Sequence, residues 1–416
     1  MEKIEVMDKK GREKYLREKI TSIVKLAYEK SEALRKKMDE AGLKPGDIKG
    51  PEDLEKMPIT RKDEVITLQR ENPPFGGFLA FPEKVRHIFM SPGPIYEPHC
   101  DAEDYWDTER AFKSAGVRKD DIVLNTFSYH LTPGAWVIEE GLKKIGCKIV
   151  PAGVGNTELQ AQLMAHLKVS VFVGTPSFLM TVMERAKSIG IDPKRDFSLR
   201  KALLAAEMVP PSVKKELWDE YGIEVFEFYG TAELGMLAYE CGEKKGMHVE
   251  PNKYVEIVDP ASGRRLPEGE AGEVVVTWFN PFYPLIRFGT GDLSSVTEEP
   301  CPCGRTTPRL TRIMGRVGDA VKVRGMFLHP KQIDEALSYF PQVERYQAVI
   351  DRVGHRDEVL YRIALKEEVE NKEELRESIA RKISDITKLK ADKIEILPKG
   401  SIPEDARRIE DRRKWD

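Results

Sequence analysis

The chain has 416 residues, 33% of them charged, yet its formal net charge is only -3. That length buries a core and accommodates two or three domains, while the near-neutral balance argues against a nucleic-acid partner. The opening MEKIEVMDKKGREKYLREK is charged throughout and no later stretch approaches a membrane span, so the expectation is a cytoplasmic protein with no membrane association; five cysteines are too few for a disulfide framework.

From Tyr15, the residues Leu16, Ile20, Ile23, Val24 and Tyr28 recur at helical spacing. The Gly- and Pro-rich AGLKPGDIKGPEDLEKMP follows, with Asp47 and Pro51 placed to open short helices. Next comes MSPGPIYEPH, Met90 to His99, where a glycine sits between two prolines. A loop that cradles phosphate presents successive backbone N–H groups, and Pro92 and Pro94 have none to present. Beyond it DIVLNTF, CKIVPAG, VSVFVGTP and GIEVFEFYG alternate with helical stretches, which predicts an α/β domain with a mostly parallel sheet under helices. After Gly230 the runs VEIVDP, GEVVVTWF and PLIRFGTGDL read as an antiparallel or barrel-like piece. After GRVGD the order is strand, helix from His329 or Pro330, strand YQAVI, strand EVLYRIAL, helix Lys372–Lys388 and strand KIEIL, a small α+β domain. The expected division is 1–314 and 315–416.

Three segments carry candidate chemistry. In FEFYGTAELG a strand ends at Tyr229 and Gly230, so Thr231 and Glu233 project from the carboxyl end of a strand, where open α/β sheets bind ligands. Thr231 can meet an α-phosphate and Glu233 can hold Mg²⁺; a Thr-capped strand-to-helix turn with a first-turn Glu fits the same residues. In PLIRFGTGDL, Asp292 follows a Gly-Thr-Gly turn and can accept ribose hydroxyls, or serve as an ordinary turn residue. In GRVGDAVKVRG, alternation puts Lys322 and Arg324 on one strand face, with Arg316 at the seam between domains; a solvated face fits equally.

The order of these segments resembles the adenylate-forming superfamily, and within it the phenylacetate-CoA ligase family. The similarity runs nearly end to end, through AGLKPGDIKGPEDLEKMPITRKDE, FGGFLAFP, VGNTELQ, GTPSFLM, LAAEMVP, EFYGTAELG, LPEGEAGEVVVT, CPCGRTTPRL and GRVGDAVKVRG. The resemblance implies a large N-terminal domain, a mobile C-terminal domain and two half-reactions, in which a carboxylate attacks ATP to give acyl-AMP and CoA then displaces AMP. It implies that Ala205, Ala206 and Glu207 border adenine, that Tyr229 stacks on it, that Thr231 meets the α-phosphate and Glu233 the Mg²⁺, that Asp292 holds the ribose, and that Arg316 holds the ribose or phosphate. An aryl or arylacetic acid is the implied substrate class, and a homodimer an implied assembly. For the acyl pocket, Phe127, Tyr129, His130 and Trp136 follow a strand end, with Ser91 beside them; aromatic residues there also fit plain core. Cys241, His248, Cys301 and Cys303 supply four soft ligands, a common closed set for structural zinc.

The chain departs from the family in three places. Where the family carries a Ser/Thr/Gly-rich loop ending in Lys-Pro, Ser91 and Gly93 remain, but prolines and Ile95 replace the run and Glu97 stands in place of lysine. Where the family's tail carries a lysine, Asp405 stands, with Lys399, Arg407 and Arg408 nearby; Gly318 occupies the hinge position. All three fall on parts that serve ATP. The expectations are therefore an AMP-forming acid–CoA ligase or, alternatively, a ligase-like protein deficient in adenylation that binds AMP, acyl-AMP or acyl-CoA, or catalyses only the thioester half-reaction.

Overall fold

A computed structural model describes residues 1–91, 93–317, 321–324, 326–328, 330–369 and 371–413. Pro92 and Gly318, two of the departures above, lie outside the described residues. The opening helix runs Lys9–Lys30, starting earlier than the apolar spacing suggests because Asp8 caps it by accepting from the Gly11 N–H at 2.7 Å. It buries Ile20, Ile23, Val24 and Ala27. Short 3₁₀ turns at Pro45–Asp47 and Pro51–Lys56 and the helix Lys62–Glu71 follow. No helix among the described residues is long and apolar enough to cross a membrane.

MSPGPIYEPH folds as a hairpin, β1 (Val85–Ser91) paired antiparallel with β2 (Ile95–Cys100). The alternating apolar runs become β3 (Ile122–Asn125), β4 (Lys148–Pro151), β5 (Val171–Gly174), β6 (Lys201–Leu204) and β7 (Glu224–Thr231). These five are parallel in the order β4-β3-β5-β6-β7, with helices between them in sequence, as strand-helix alternation requires. Here the sheet changes character. The chain leaves Thr231 not into a helix but through a tight turn into β8 (Gly235–Glu240), antiparallel to β7, and β9 (Met247–Val249) pairs antiparallel with β8. A second sheet, antiparallel and open rather than closed into a barrel, contains β10 (Lys253–Val258), β11 (Gly272–Trp278) and β12 (Phe288–Ser294). Short strands β13 (Val296–Thr297) and β14 (Arg309–Leu310) extend the first sheet beyond β9. β15 (Gly315–Arg316) extends the second beside β12, two residues past the expected boundary at 314.

The C-terminal part opens with β16 (Val321–Val323) and β17 (Met326–Leu328) and the helix Pro330–Ser338. Its own sheet has the order β20-β19-β18-β21, from β18 (Val343–Val353), β19 (Arg356–Leu365), β20 (Lys393–Leu397) and β21 (Ile409–Asp411), with the helix Lys372–Thr387 before β20. It has a core of its own, with Ile333, Tyr361, Ile379 and Ile383 among its wholly buried residues.

Beneath the second sheet lies a buried ionic network. Asp107 accepts from Lys253 (2.7 Å), Asn252 (2.8 Å) and the Trp278 indole (3.1 Å), while Arg110 donates to Glu250 (2.6 Å). Burial, with Asp107 adding and Arg110 and Lys253 opposing, pushes the Glu250 carboxyl up to about 8. The native state thus holds this proton at pH values where the unfolded chain has released it, so stability falls as pH rises from the ordinary carboxylate range to about 8. Glu250→Gln is expected to flatten that part of the profile, read as urea midpoints between pH 5 and 8.5; an unchanged slope would contradict this origin.

Candidate active site

The site is built where the two sheets meet. At the end of β7, Gly230 faces Gly235 so closely that a Cβ would lie 2.6 Å from the Gly235 carbonyl oxygen; only glycine permits the turn that aims Thr231 and Glu233. Tyr229, just before it, donates its hydroxyl hydrogen to Asp292 Oδ2 at 2.8 Å. Arg316, the register partner of Asp292 on β15, donates from Nε to Oδ1 at 2.9 Å and from Nη2 to the Thr290 carbonyl at 3.2 Å. Two residues distant in sequence, Tyr229 and Arg316, therefore converge on the buried Asp292 carboxylate. Burial and the Asp292 charge push the Tyr229 phenol well above its usual range, so it remains a neutral donor.

Glu233 is 5% exposed, and its Oε1 receives the Lys62 ammonium at 2.6 Å. Burial works to raise its pKa, but the Lys62 charge and hydrogen bond, with help from Thr231, bring it below the usual range. Thr231 Oγ1 also accepts from the Leu234 N–H at 3.3 Å. Glu97, on β2, turns inward from the hairpin, is 1% exposed, and accepts from Ser91 at 3.4 Å. Burial, then the Glu233 charge, raises the Glu97 carboxyl well above the ordinary range, with Lys62 opposing. Pro94 is exposed in the turn.

On the other side, Ala205 is buried and Ala206 has φ +72°, a left-handed conformation uncommon outside glycine. Glu207 accepts from the Ser177 hydroxyl (2.9 Å) and N–H (3.3 Å). Burial, helped by Asp357 of the small domain, raises its pKa against the Ser177 bonds and Arg352. A cleft of about 430 Å³ opens there between the domains, with Ser177, Ser212 and Glu216 on one wall and Arg352, His355 and Arg412 on the other.

The small domain's other cations lie elsewhere. Arg324 does not continue the strand face expected for it: it leaves β16 at φ +50° and donates from Nε to the Asp357 carbonyl at 2.8 Å, pairing also with Asp392. The Lys322 side chain lies outside the described residues. Lys399, Asp405 and Arg407 are exposed, and Arg408 pairs with Asp334.

Of the aromatic residues, Tyr129 and Trp136 meet edge to face at 6.0 Å, while Phe127 packs against Phe228 at 6.4 Å. His130 is exposed on the loop. Trp136 heads a ladder absent from the sequence reading, running to His87 (5.0 Å), from His87 to His99 (5.2 Å) and from His99 to Trp106 (4.5 Å), with the two imidazole Nδ1 atoms 3.0 Å apart. The signal for it was the alternation of His87 and Phe89 along β1. Lys62 was also missed; its cue was its place in PITRKDE, one of the resembling segments. Nothing in the charged strands around Arg352 and Asp357 marks them as facing Glu207.

The four soft ligands do assemble. The ligand atoms of Cys241, His248, Cys301 and Cys303 all lie within 4.8 Å of one another, with Cys241 and Cys301 sulfurs 3.7 Å apart and Cys303 Sγ 3.4 Å from His248 Nε2. A zinc tetrahedron with bonds of about 2.0–2.3 Å has edges near 3.5 Å, so the donor set fits. His248 Nδ1 sits 3.1 Å from the Thr307 hydroxyl and 3.4 Å from its carbonyl, which leaves Nε2 facing Cys303 Sγ. For Mg²⁺ the fit rests on Glu233, whose buried Oε2 has no hydrogen-bond partner among the described residues.

A two-sheet N-terminal part followed by a separate small C-terminal part with its own core is the architecture of the adenylate-forming superfamily. The AMP-binding enzyme family matches residues 100–278 and the AMP-binding enzyme C-terminal domain residues 325–413. A phenylacetate-coenzyme A ligase of Thermus thermophilus is 32% identical over 95% of this chain and 96% of its own. The chain belongs to the phenylacetate-CoA ligase family, as its motifs imply. A crystal structure of 2-hydroxyisobutyryl-CoA ligase with 2-HIB-AMP and CoA in the thioesterification state superposes with TM-score 0.93 at 28% identity, over 99% of this chain and 92% of that one. The same ligase with 2-HIB-AMP in the postadenylation state gives 0.74, with 98% and 91% covered.

Proposed function

We propose that this chain is an AMP-forming acid–CoA ligase that activates an aryl or arylacetic acid. In the first half-reaction a carboxylate oxygen of the acid bonds to the α-phosphorus of ATP and pyrophosphate leaves. In the second the CoA sulfur bonds to the acyl carbon, AMP leaves, and the thiol proton passes to solvent. Asp292, oriented by Tyr229 and Arg316, accepts the ribose hydroxyls. Thr231 meets the α-phosphate, and Ala205, Ala206 and Glu207 border the adenine. Mg²⁺ at Glu233, when bound, supplies positive charge against the phosphates. Zinc on Cys241, His248, Cys301 and Cys303 is structural, since four protein ligands leave no open position. The aromatic wall of Tyr129, Trp136 and the β1–β2 ladder suits an aryl group, while Ser91, at the end of β1, donates to Glu97. We place the protein in the cytoplasm, possessing two domains that divide near 315; a homodimer rests on the resemblance alone.

The single observation that carries this reading is the interdomain cleft. It is lined by Arg352, His355 and Arg412 from the small domain and by Ser177, which donates to Glu207, from the large one. A second substrate reaching an acyl-AMP needs such an entrance. Arg352 and Arg412, which also hold Asp357 and Glu410, and His355 line it with groups that suit the phosphates of CoA.

One observation favours the second reading, in which only the thioester half survives: the segment in the place of the family's phosphate loop folds as a hairpin that buries Glu97 where the family carries a lysine, so no cation stands there for a triphosphate. The experiment is ATP–pyrophosphate exchange with aryl, arylacetic and short aliphatic acids, run beside CoA-dependent consumption of preformed phenylacetyl-AMP. Exchange with any acid establishes the full ligase. Thioester formation without exchange establishes the half-reaction. Neither activity, with AMP still binding, leaves a binding protein.

A further inference from the structure

The β1–β2 hairpin forms a two-stranded sheet of its own, and a hairpin by itself is marginal in water, so its neighbours must hold it in place. Its pairing sets His87 opposite His99, Phe89 opposite Glu97 and Ser91 opposite Ile95. All of this row except His87 is buried, while Ile88 and Tyr96, at alternate positions, are 54% and 40% exposed. A slip of one residue would turn the buried row to solvent. The row leads toward the reacting groups. His99 stacks on Trp106 at 4.5 Å, the Trp106 carbonyl accepts from the Met236 N–H at 3.1 Å, and a Cβ at Gly235 would lie 2.5 Å from Trp106 Cβ. Gly235 closes the turn that carries Thr231 and Glu233, so the inner face of the hairpin is continuous with that turn.

One rung of the hairpin is held from both sides. Met90 lies opposite Tyr96, and the backbone groups of both turn away from the pair. On the β1 edge the Met90 N–H donates to the Leu131 carbonyl at 2.9 Å. On the β2 edge Gln69, 3% exposed near the end of the helix Lys62–Glu71, does what a neighbouring strand would do. Its Nε2 donates to the Tyr96 carbonyl and its Oε1 accepts from the Tyr96 N–H, both at 2.8 Å. A side-chain amide carries a donor and an acceptor together, as a peptide group does. Pro98, two residues further along β2, has no N–H, so it offers no equivalent grip one register away. The same helix begins at Lys62, whose ammonium meets Glu233 at 2.6 Å, and the helix from there to Gln69 advances about 10 Å. It is a strut between the turn and the hairpin.

We propose that Gln69 is a positioning residue of the acyl site, its amide standing in for a third strand beside β2 and fixing the register that turns Phe89, Ile95 and His99 inward. This rests on the aryl reading of the hairpin wall above and adds to it the group that keeps the wall in place. A segment that departs from the family's phosphate loop is thereby held as a fixed surface.

The test is titration of the full chain with acetyl- and phenylacetyl-sulfamoyl-adenosine, two acyl-adenylate mimics that differ only in the ring. Wild type is expected to bind the phenylacetyl mimic at least about tenfold tighter, as burying a ring requires. Gln69→Met keeps the length of the side chain but neither donates nor holds an amide acceptor. It is expected to lose about tenfold of that preference, the effect of two hydrogen bonds on the wall, while binding the acetyl mimic as wild type does. Its melting temperature is expected to stay within a few degrees, because water replaces the lost bonds at the exposed Tyr96, and hydrogen exchange to quicken at residues 89–98 alone. Gln69→Glu presents a donor and an acceptor when protonated and only acceptors when ionised. Its preference is expected to match wild type at pH 5.5 and Gln69→Met at pH 8, each read against wild type at the same pH. An unchanged preference in Gln69→Met, or one lost together with binding of the acetyl mimic, overturns the proposal and leaves the aryl reading standing. No preference in wild type removes the aryl reading, and this role of Gln69 falls with it. Should Gln69→Met fail to fold, Gln69→Glu decides: recovery at pH 5.5 supports the clamp, and no recovery overturns it.

Discussion

Asp292→Ala is expected to weaken AMP binding by more than about tenfold. The carboxylate is the only group in this cluster able to accept two hydroxyl hydrogens, and a hydrogen bond to a charged acceptor contributes about 1.5–3 kcal/mol. The substitution also strips two donors of a shared acceptor, the Tyr229 hydroxyl at 2.8 Å and Arg316 Nε at 2.9 Å. Arg316 keeps its bond to the Thr290 carbonyl, so the guanidinium stays tethered but no longer aimed. Some loss of stability therefore accompanies the loss of affinity. Asp292→Asn separates the two effects. It keeps an oxygen for one donor, so it is expected to recover most of the melting temperature while recovering little of the AMP affinity. An AMP titration unchanged in both variants would mean that the nucleotide does not sit against Asp292.

The sequence reading succeeds where the signal is local and weakens where geometry decides. The central parallel strands β5 and β6 were visible as short apolar runs, because strands covered on both faces have no polar side to show. Tyr229, Asp292 and Arg316 were each singled out by the motif around them, although Gly289-Thr290-Gly291 and Asp292 lie within β12 rather than in the turn expected there. Their meeting on one carboxylate was not legible, since it depends on β12 and β15 pairing beside the end of β7. The reverse error occurred at Arg324. Alternation put it on a strand face with Lys322, but a positive φ turns it away to Asp357, and two-residue periodicity carries no information about a left-handed turn. β21 escaped notice because three residues with two acids look like tail; they form a strand only because β18 offers a free parallel edge. Lys62 looked like any surface lysine at a helix start until Glu233 was seen 2.6 Å away.

Removing the metal from the four-ligand centre is expected to have the second large effect, and its reach follows from what the CPCG loop holds. Arg305, two residues past Cys303, pairs with the buried Glu5 at 2.7 Å, and Tyr239 donates to the same carboxylate at 3.2 Å. Thr306 donates its N–H to the Glu5 carbonyl at 2.9 Å, and Arg12 reaches the Ile4 carbonyl at 2.8 Å. The loop thus clips the N-terminal segment onto β8, the strand that runs back from the Thr231–Glu233 turn. As isolated protein never exposed to chelator, the chain is expected to carry about one zinc. A ligand bound at a thousand times its Kd stabilises the folded state by about 4 kcal/mol, and chelation forfeits that amount. Hydrogen exchange is expected to rise first at residues 2–12 and 298–310, then along β8. Cys303→Ser is expected to reproduce that pattern with zinc present, since three remaining ligands hold the ion less firmly. AMP affinity falls only if the disturbance travels along β8 to the turn, so the order of events discriminates: early loss of N-terminal protection with nucleotide binding intact marks a clip, and simultaneous loss of both marks a single cooperative unit. Metal analysis finding no zinc in undisturbed protein would remove the centre from this account altogether.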